Sequence, residues 1–331
     1  MSKVNWAIIG LGRIAKAMAA ALKGVDDAVL YGVASRGLEK AEQFKAEFGA
    51  VKAYGSYQEA FDDPCVDAVY IATPHPMHKE LSILAMKAGK AVLCEKPATM
   101  NEAELEEVLA VRKETGMFFM EAMWTKFHPV YNKVLELVKN GAIGELKNVY
   151  ADICCPNPYV PGSRLYEKEL GGGACLDLGI YVLTYALGAI SAATNDAFAD
   201  CKPEKFMSMT RKAVTGVDAF DNIMLEYKGI QATLTASIDS GCNEETRTAK
   251  LVGSNGMIEV RGFWYASSYK LFDANGTKIG EEYLPFKVNG YEYEAQKATE
   301  CILNSEAECE IHTYADTKLL SELMDKVIMS V

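Results

Sequence analysis

Gly10-Leu11-Gly12-Arg13-Ile14-Ala15 reads G-x-G-x-x-A, an order of residue types suited to a pyrophosphate. Gly10 permits a tight turn, Gly12 lets main chain approach the phosphates, and Ala15 allows close helix–sheet packing. A helix opening at Arg13 and Ile14 would offer unpaired N–H groups and a partial positive charge to the anion. The plainer alternative is a glycine turn with a packing role only. The adenosine end depends on the residues just after the next apolar run. Val29-Leu30-Tyr31-Gly32-Val33-Ala34 leads into Ser35-Arg36, whereas Asp26 and Asp27 stand before it, at its other end. A carboxylate after the run would bind a ribose 2′-hydroxyl and repel a 2′-phosphate. Ser35 can instead donate to such a phosphate, Arg36 can pair with it or stack on adenine, and Lys40 lies one turn further on. The expected dinucleotide is NADP rather than NAD.

Two further turns carry polar chemistry. Thr73-Pro74-His75-Pro76-Met77-His78 comes after an apolar run, and the ends of parallel strands face ligands. Thr73, Pro74, His75 and His78 are therefore expected to line the cofactor cleft. The histidines lack a third ligand at a clear spacing, so no metal is expected. Cys94-Glu95-Lys96-Pro97 ends the next run. Lys96, fixed by Pro97, would stand near the nicotinamide, hold ribose hydroxyls and lower the pKa of a neighbouring acid. Glu95 is grouped with it as a cofactor contact.

The elements that must position these residues are given by periodicity. Strands are expected at Val4–Ile9, Ala28–Ala34, Lys52–Tyr54, Val66–Ala72, Ala91–Cys94 and Phe118–Glu121. Helical stripes lie between them at Arg13–Lys23, Leu38–Phe48, Met77–Ala88 and Asn101–Thr115. Asn101 with Glu104 three residues on is a capping box, and Gly116 supplies the stop. This alternation predicts an α/β class with a doubly wound parallel Rossmann sheet over residues 1–122.

Residues 123–331 read differently. Pro129–Lys139 is helical, Lys147–Cys155 extended, and Gly171-Gly172-Gly173 opens an apolar helix over Ala174–Leu187. Short runs come next (Asn222–Tyr227, Gln231–Ile238, Thr248–Gly253, Met257–Arg261, Tyr269–Phe272), separated by Lys228-Gly229, Ser254-Asn255-Gly256 and Asn275-Gly276. These are turns between antiparallel strands. Tyr291–Asn304 and Tyr314–Met329 close the chain as helices. The second half is expected to be an α+β domain with a mostly antiparallel open sheet. One face of that sheet is expected to pair subunits into a homodimer, with tetramers left open.

The chain has 331 residues and a formal charge of −11, which argues against nucleic acid as the main partner and against an anionic membrane surface, while leaving room for one local basic pocket. No stretch is read as approaching the ~20 apolar residues of a span. The start Met1-Ser2-Lys3-Val4-Asn5-Trp6 lacks a leader pattern, and nine cysteines without C-x-x-C spacing read as reduced, mostly buried thiols in a cytoplasmic protein. Met207 and Met209 read as packing.

The glycine motif, the Thr-Pro turn, Glu95-Lys96-Pro97 and Gly171-Gly172-Gly173-Ala174-Cys175-Leu176-Asp177-Leu178-Gly179-Ile180-Tyr181, in that order, resemble the glucose-fructose oxidoreductase / inositol dehydrogenase / rhizopine-catabolism (Gfo/Idh/MocA) family across nearly the whole chain. Lys90–Pro97, Met120–Thr125 and Asp177–Tyr181 look most like its dimeric dihydrodiol dehydrogenase and NADP-dependent D-xylose dehydrogenase branches. Inositol dehydrogenases carry Asp-x-x-x-His where this chain has Asp177-x-x-x-Tyr181, so an inositol substrate is disfavoured. The resemblance implies that Tyr181 is the proton-transfer group, with Lys96 assisting and Asp177 tuning it or binding substrate hydroxyls. Spacing agrees, because positions four apart share a helix face. An alkoxide formed during carbonyl reduction needs a proton, and a phenol of ordinary pKa ~10 serves once nearby positive charge lowers it.

Arg164 could reach a cofactor phosphate or the substrate, and the resemblance suggests the same. Trp124 could pack beside the nicotinamide, and Phe263 and Trp264 could wall the substrate. The implied activity is hydride transfer between NADP(H) and a hydroxyl or carbonyl carbon of a sugar, polyol or trans-dihydrodiol. Two alternatives stand beside it: a non-catalytic NADP-binding sensor on the same scaffold, and the family's NAD-dependent glycosidase chemistry.

Overall fold

Apolar runs bounded by turn residues become parallel strands with helices between them. The computed structural model describes residues 3–241 and 247–329. In chain order the first elements are β1 (Val4–Ile9), α1 (Arg13–Leu22), β2 (Ala28–Ala34), α2 (Leu38–Phe48), β3 (Lys52–Tyr54), α3 (Tyr57–Asp62), β4 (Ala68–Ile71), α4 (His78–Lys87), β5 (Ala91–Glu95), α5 (Glu102–Thr115) and β6 (Phe119–Ala122). The strands form one sheet in the order β3-β2-β1-β4-β5-β6, every pair parallel. This is the doubly wound order whose direction reverses beside β1, where such sheets hold ligands. β4 is buried at all four positions, as a sheet covered on both faces requires. The expected cap of α5 forms: Asn101 Oδ1 accepts from the Glu104 N–H at 2.9 Å, and Glu104 Oε2 accepts from the Met100 N–H at 3.1 Å.

The chain continues through α6 (Pro129–Lys139), β7 (Leu146–Cys154), α7 (Ile180–Thr194), β8 (Lys205–Lys212), β9 (Asp218–Tyr227), β10 (Ile230–Ser237), β11 (Thr248–Gly253), β12 (Gly256–Arg261), β13 (Ser268–Asp273), β14 (Lys278–Tyr283), α8 (Tyr291–Leu303) and α9 (Tyr314–Met329). β7–β14 form a second sheet, in the order β14-β13-β12-β11-β7-β10-β9-β8. It is antiparallel except for the β7–β10 pair.

The chain forms two compact units, residues 1–124 with 287–317, and residues 125–286 with 318–331. The split after Trp124 lies close to the expected boundary, but residues 287–317 fall with the first unit rather than the second. The reason is local packing: the Trp6 indole N–H donates to Thr299 Oγ1 at 3.1 Å, and Asn289 Nδ2 donates to the Ala17 carbonyl at 2.8 Å.

Three other expectations change. Ala174–Leu187 is not one regular helix: Cys175–Gly179 winds as a wider π turn before α7 begins at Ile180. The run Lys168–Thr194 is long and apolar enough to span a bilayer, contrary to the composition reading. Its most apolar window is 89% buried in the folded chain, as befits a core helix. Met207 and Met209 do not pack: they are 66% and 73% exposed and share an open sheet surface with Met224 and Tyr150. Alternation explains this, since side chains of β8 that face away from the covered side meet solvent. Eight free cysteines are described, six of them buried, and Cys242 lies outside the described residues.

Candidate functional site

In the first unit, β1 delivers its last residue into the glycine turn. Gly10 has φ +89°, and a Cβ there would meet Thr73 Cγ2 at 2.8 Å. Glycine is therefore required twice, by the backbone conformation and by the Thr73 turn packed behind it. Around Gly12 the space is open, and α1 begins at Arg13 with no side-chain cap and no carboxylate in its first turn. Arg13 is exposed, Ile14 half-buried and Ala15 buried. Thr73 Oγ1 is buried without a hydrogen-bond partner in the described chain. An open approach, an uncapped helix start and an orphaned hydroxyl fit a phosphate ligand. At the end of β2, Ser35 is buried, while Arg36 and Lys40 are exposed.

The Lys96 turn is held from below. Tyr70, buried in β4, donates its hydroxyl to Glu95, whose other oxygen accepts from the Lys96 N–H at 3.2 Å. His78 Nδ1 lies 2.8 Å from the Pro97 carbonyl, and Nε2 lies 2.9 Å from the Thr73 carbonyl. Each tautomer donates to one of these oxygens and the imidazolium to both. Burial pulls the His78 pKa down, and the two carbonyls pull it back up. His78 is fully buried, so it ties the two turns together rather than lining a cleft as expected. His75, 7% exposed, lies edge-on to it with ring centroids 5.7 Å apart, and Pro74 is exposed. The next main-chain N–H, of Ala98, donates to Glu121 Oε1 at 2.8 Å. Glu121 Oε2 lies 2.9 Å from His312 Nε2, with both side chains buried. Trp124 stacks on Tyr291, centroids 4.3 Å apart.

In the second unit, Asp177 lies in the π turn and Tyr181 at the start of α7. Four residues stay close to one full turn in either winding, so the pair keeps nearly one side. Tyr181 is 7% exposed and lies 6.4 Å, centroid to centroid, from Trp264. Trp264 is half-buried beside Tyr181, the position from which it was expected to wall a substrate. Phe263 is 1% exposed and packs behind it against Tyr185, so it is not part of that wall. Arg164 pairs with a protein carboxylate: Nη2 lies 3.3 Å from Asp177 Oδ1. Among the described residues no three His, Cys, Asp or Glu side chains gather as for a metal.

Glu121, His312, Asp218 and Asp221 were not singled out from sequence. An isolated acidic or histidine residue gives no signal of burial. Only the alternation of β9 hinted that Asp221 shares the side of Ile223 and Leu225.

A model described as "Oxidoreductase family, NAD-binding Rossmann fold" matches residues 4–123, and the "GFO/IDH/MocA C-terminal domain" matches residues 131–259. The chain belongs to the Gfo/Idh/MocA oxidoreductase family. Among Gfo/Idh/MocA relatives, trans-1,2-dihydrobenzene-1,2-diol dehydrogenase of Xenopus laevis is 34% identical, over 98% of this chain and 97% of that protein. The Homo sapiens enzyme of the same name is 31% identical, over 98% and 96%. KijD10, a 3-ketoreductase from Actinomadura kijaniata solved with NADP and TDP-benzene, superimposes with a TM-score of 0.86 at 25% identity, covering 99% of this chain and 98% of that one. Aldose-aldose oxidoreductase from Caulobacter crescentus shares the fold, with a TM-score of 0.86 at 24% identity. As a Gfo/Idh/MocA protein with these relatives, the chain is an oxidoreductase with a Rossmann NAD(P)-binding fold.

Proposed function

We propose that this oxidoreductase is an NADP-dependent dehydrogenase or reductase acting on a CH–OH or carbonyl carbon of a sugar, polyol or trans-dihydrodiol. The observation that carries the reading is Tyr181, buried at the start of α7 one turn after Asp177 and flanked by Trp264. A bound nicotinamide would supply or accept the hydride. Gly10, Gly12, Arg13 and Ile14 would hold its pyrophosphate, with Thr73 behind them. Ser35, Arg36 and Lys40 would hold a 2′-phosphate, since no carboxylate comes directly after β2 to repel one. KijD10, solved with NADP, agrees with that preference. Glu95 fixes the turn that presents Lys96, whose ammonium would bind hydroxyls and stabilise a developing alkoxide. Tyr181 would pass the hydroxyl proton. Asp177, oriented by Arg164, would accept hydroxyls of a polyhydroxylated ligand. Trp124 and Trp264 would offer apolar faces to the cofactor ring and the substrate.

A screen of D-xylose, other aldoses, polyols and trans-1,2-dihydrobenzene-1,2-diol with NADP and with NAD, monitored by nicotinamide absorbance, tests the activity. Turnover with NADP is expected for at least one member. A flat trace for every compound with both cofactors would sink the reading in favour of an NADP-binding sensor. The exposed apolar surface around Met207, Met209 and Met224 supports a homodimer through the second sheet. Sedimentation at the mass of a single chain would remove that part.

A further inference from the structure

We propose that Asp218 and Asp221 form one proton-sharing pair that positions the turn carrying Asp177 and Tyr181; its link to turnover rests on the role given to Tyr181 above. The two residues are three apart on β9, a spacing that would normally place them on opposite sides of a strand. A bulge changes this. Arg211 of β8 faces Phe220 and Lys212 faces Asp218, so Ala219 is the extra residue. Both carboxyls thereby turn inward, 4% and 0% exposed.

Asp218 reaches the glycine run. Its Oδ2 accepts from the Cys175 N–H at 2.5 Å, and the Ala174 N–H also donates to this carboxylate. Gly173, with φ +122°, lies against it: a Cβ there would come within 2.2 Å of Asp218 Oδ1. Asp218 thus anchors the first residues of the turn that presents Asp177 two residues on. Asp221 supports it from behind. Its Oδ1 accepts from the Thr210 hydroxyl at 2.7 Å, while its Oδ2 is buried with no donor from elsewhere.

Two adjacent buried carboxyls do not both ionise readily. Asp218 receives the amide N–H groups of Cys175, Ala174 and its own residue, whereas Asp221 receives the Thr210 hydroxyl, so the charge belongs on Asp218 and the proton on Asp221. Burial, and then the Asp218 charge, push Asp221 up to about 8. Lys212, across from Asp218 in the register, is exposed, and among the described residues no cation is one of the groups that shift Asp221. The Cys175 thiol is held protonated by burial and by Asp218, Asp221 and Asp325, and its Sγ lies 3.8 Å from the Met324 carbonyl. At neutral pH Asp221 therefore donates to Asp218, which holds Ala174 and Cys175. Above about pH 8 the proton leaves, two negative charges face one another, and the anchor loosens.

The test compares the full-length wild type with D221N and D218A. Asn at 221 still accepts from Thr210 and gives Asp218 a permanent N–H donor, so it mimics the protonated pair at every pH. Three quantities are measured from about pH 5 to about pH 9: the melting temperature, hydrogen exchange of the 174–181 amides, and kcat and KM for NADP with trans-1,2-dihydrobenzene-1,2-diol or D-xylose. A raised folded pKa means the native state keeps a proton that the unfolded chain has already lost. Its stabilisation is complete below the ordinary aspartate pKa and lost as pH rises through about 8. Wild type should therefore melt lower and lose protection at Ala174 and Cys175, measured against the base-catalysed intrinsic exchange rate at each pH, as pH rises, and D221N should show markedly weaker trends in both. D218A should show little protection at these amides at any pH and lose about 10- to 100-fold in kcat with a smaller change in KM. D221N should turn over faster than D218A at neutral pH. Identical pH trends in wild type and D221N, or D221N as slow as D218A, would overturn the proposal. Failure of the Tyr181 role is seen separately, as normal turnover in Tyr181→Phe with the melting and exchange differences intact.

Discussion

The two units fix the turns that carry the candidate site residues in opposite ways. In the first, the segment around Lys96 is gripped by groups of complementary type. An imidazole faces two carbonyls, and a carboxylate faces an amide N–H and a second imidazole. In the second, the segment leading to Asp177 and Tyr181 is gripped by two carboxyls, one of them anchoring main-chain N–H groups. Complementary partners satisfy each other, so such a clamp fails when one member is removed. Like partners agree only through a shared proton, so that clamp also fails when pH rises.

The contrast is tested most severely at the group that the second clamp presents. Tyr181→Phe should lower kcat by about 100-fold or more while cofactor affinity barely changes. Stopped-flow turnover and fluorescence titration of NADPH read the two quantities, and unchanged kcat would remove Tyr181 from the mechanism. Removing one member of the complementary clamp, in Glu121→Ala, should cost about 3 kcal/mol in urea unfolding, because His312 and the Ala98 N–H lose a buried partner. A loss near zero would mean the two sides of this clamp are independent. Gly173→Ala adds a methyl where Asp218 already stands, at a positive φ, and should cost about 1–3 kcal/mol in the same measurement. If Gly173→Ala melts like wild type, the carboxylate does not press on that glycine. The smallest effect is expected where no clamp exists. Arg36 is exposed, and Arg36→Ala should weaken NADPH about tenfold more than NADH in paired titrations. Equal weakening would mean the 2′-phosphate is held elsewhere.

Much of the first unit was legible because its signals are local. Val4–Ile9, Ala28–Ala34 and Lys52–Tyr54 form at the residues expected, since buried parallel strands are short apolar runs and their boundaries are glycines and turns. Ala174–Leu187 was half legible. Its apolar character gave a core helix, but the π turn at Cys175–Gly179 leaves no mark in a periodicity that differs by less than one residue per turn. His78 was read as a cleft residue of the turn after β4, and in the fold it opens α4, fully buried between two carbonyls. Spacing shows where a histidine stands and not what lies on its other side.

The order of motifs along the chain was enough to determine the family and the Rossmann half, and to nominate a phosphate turn and candidate residues for the chemistry. Each of these is a matter of residue type at fixed separation. Tertiary structure alone decided which polar groups are buried and against whom: His312 beside Glu121, Asp218 under Gly173, residues 287–317 beside β1. Burial belongs to the folded chain as a whole. A carboxyl acquires its partner, and its hold on a proton, only when segments tens to hundreds of residues apart have closed over it.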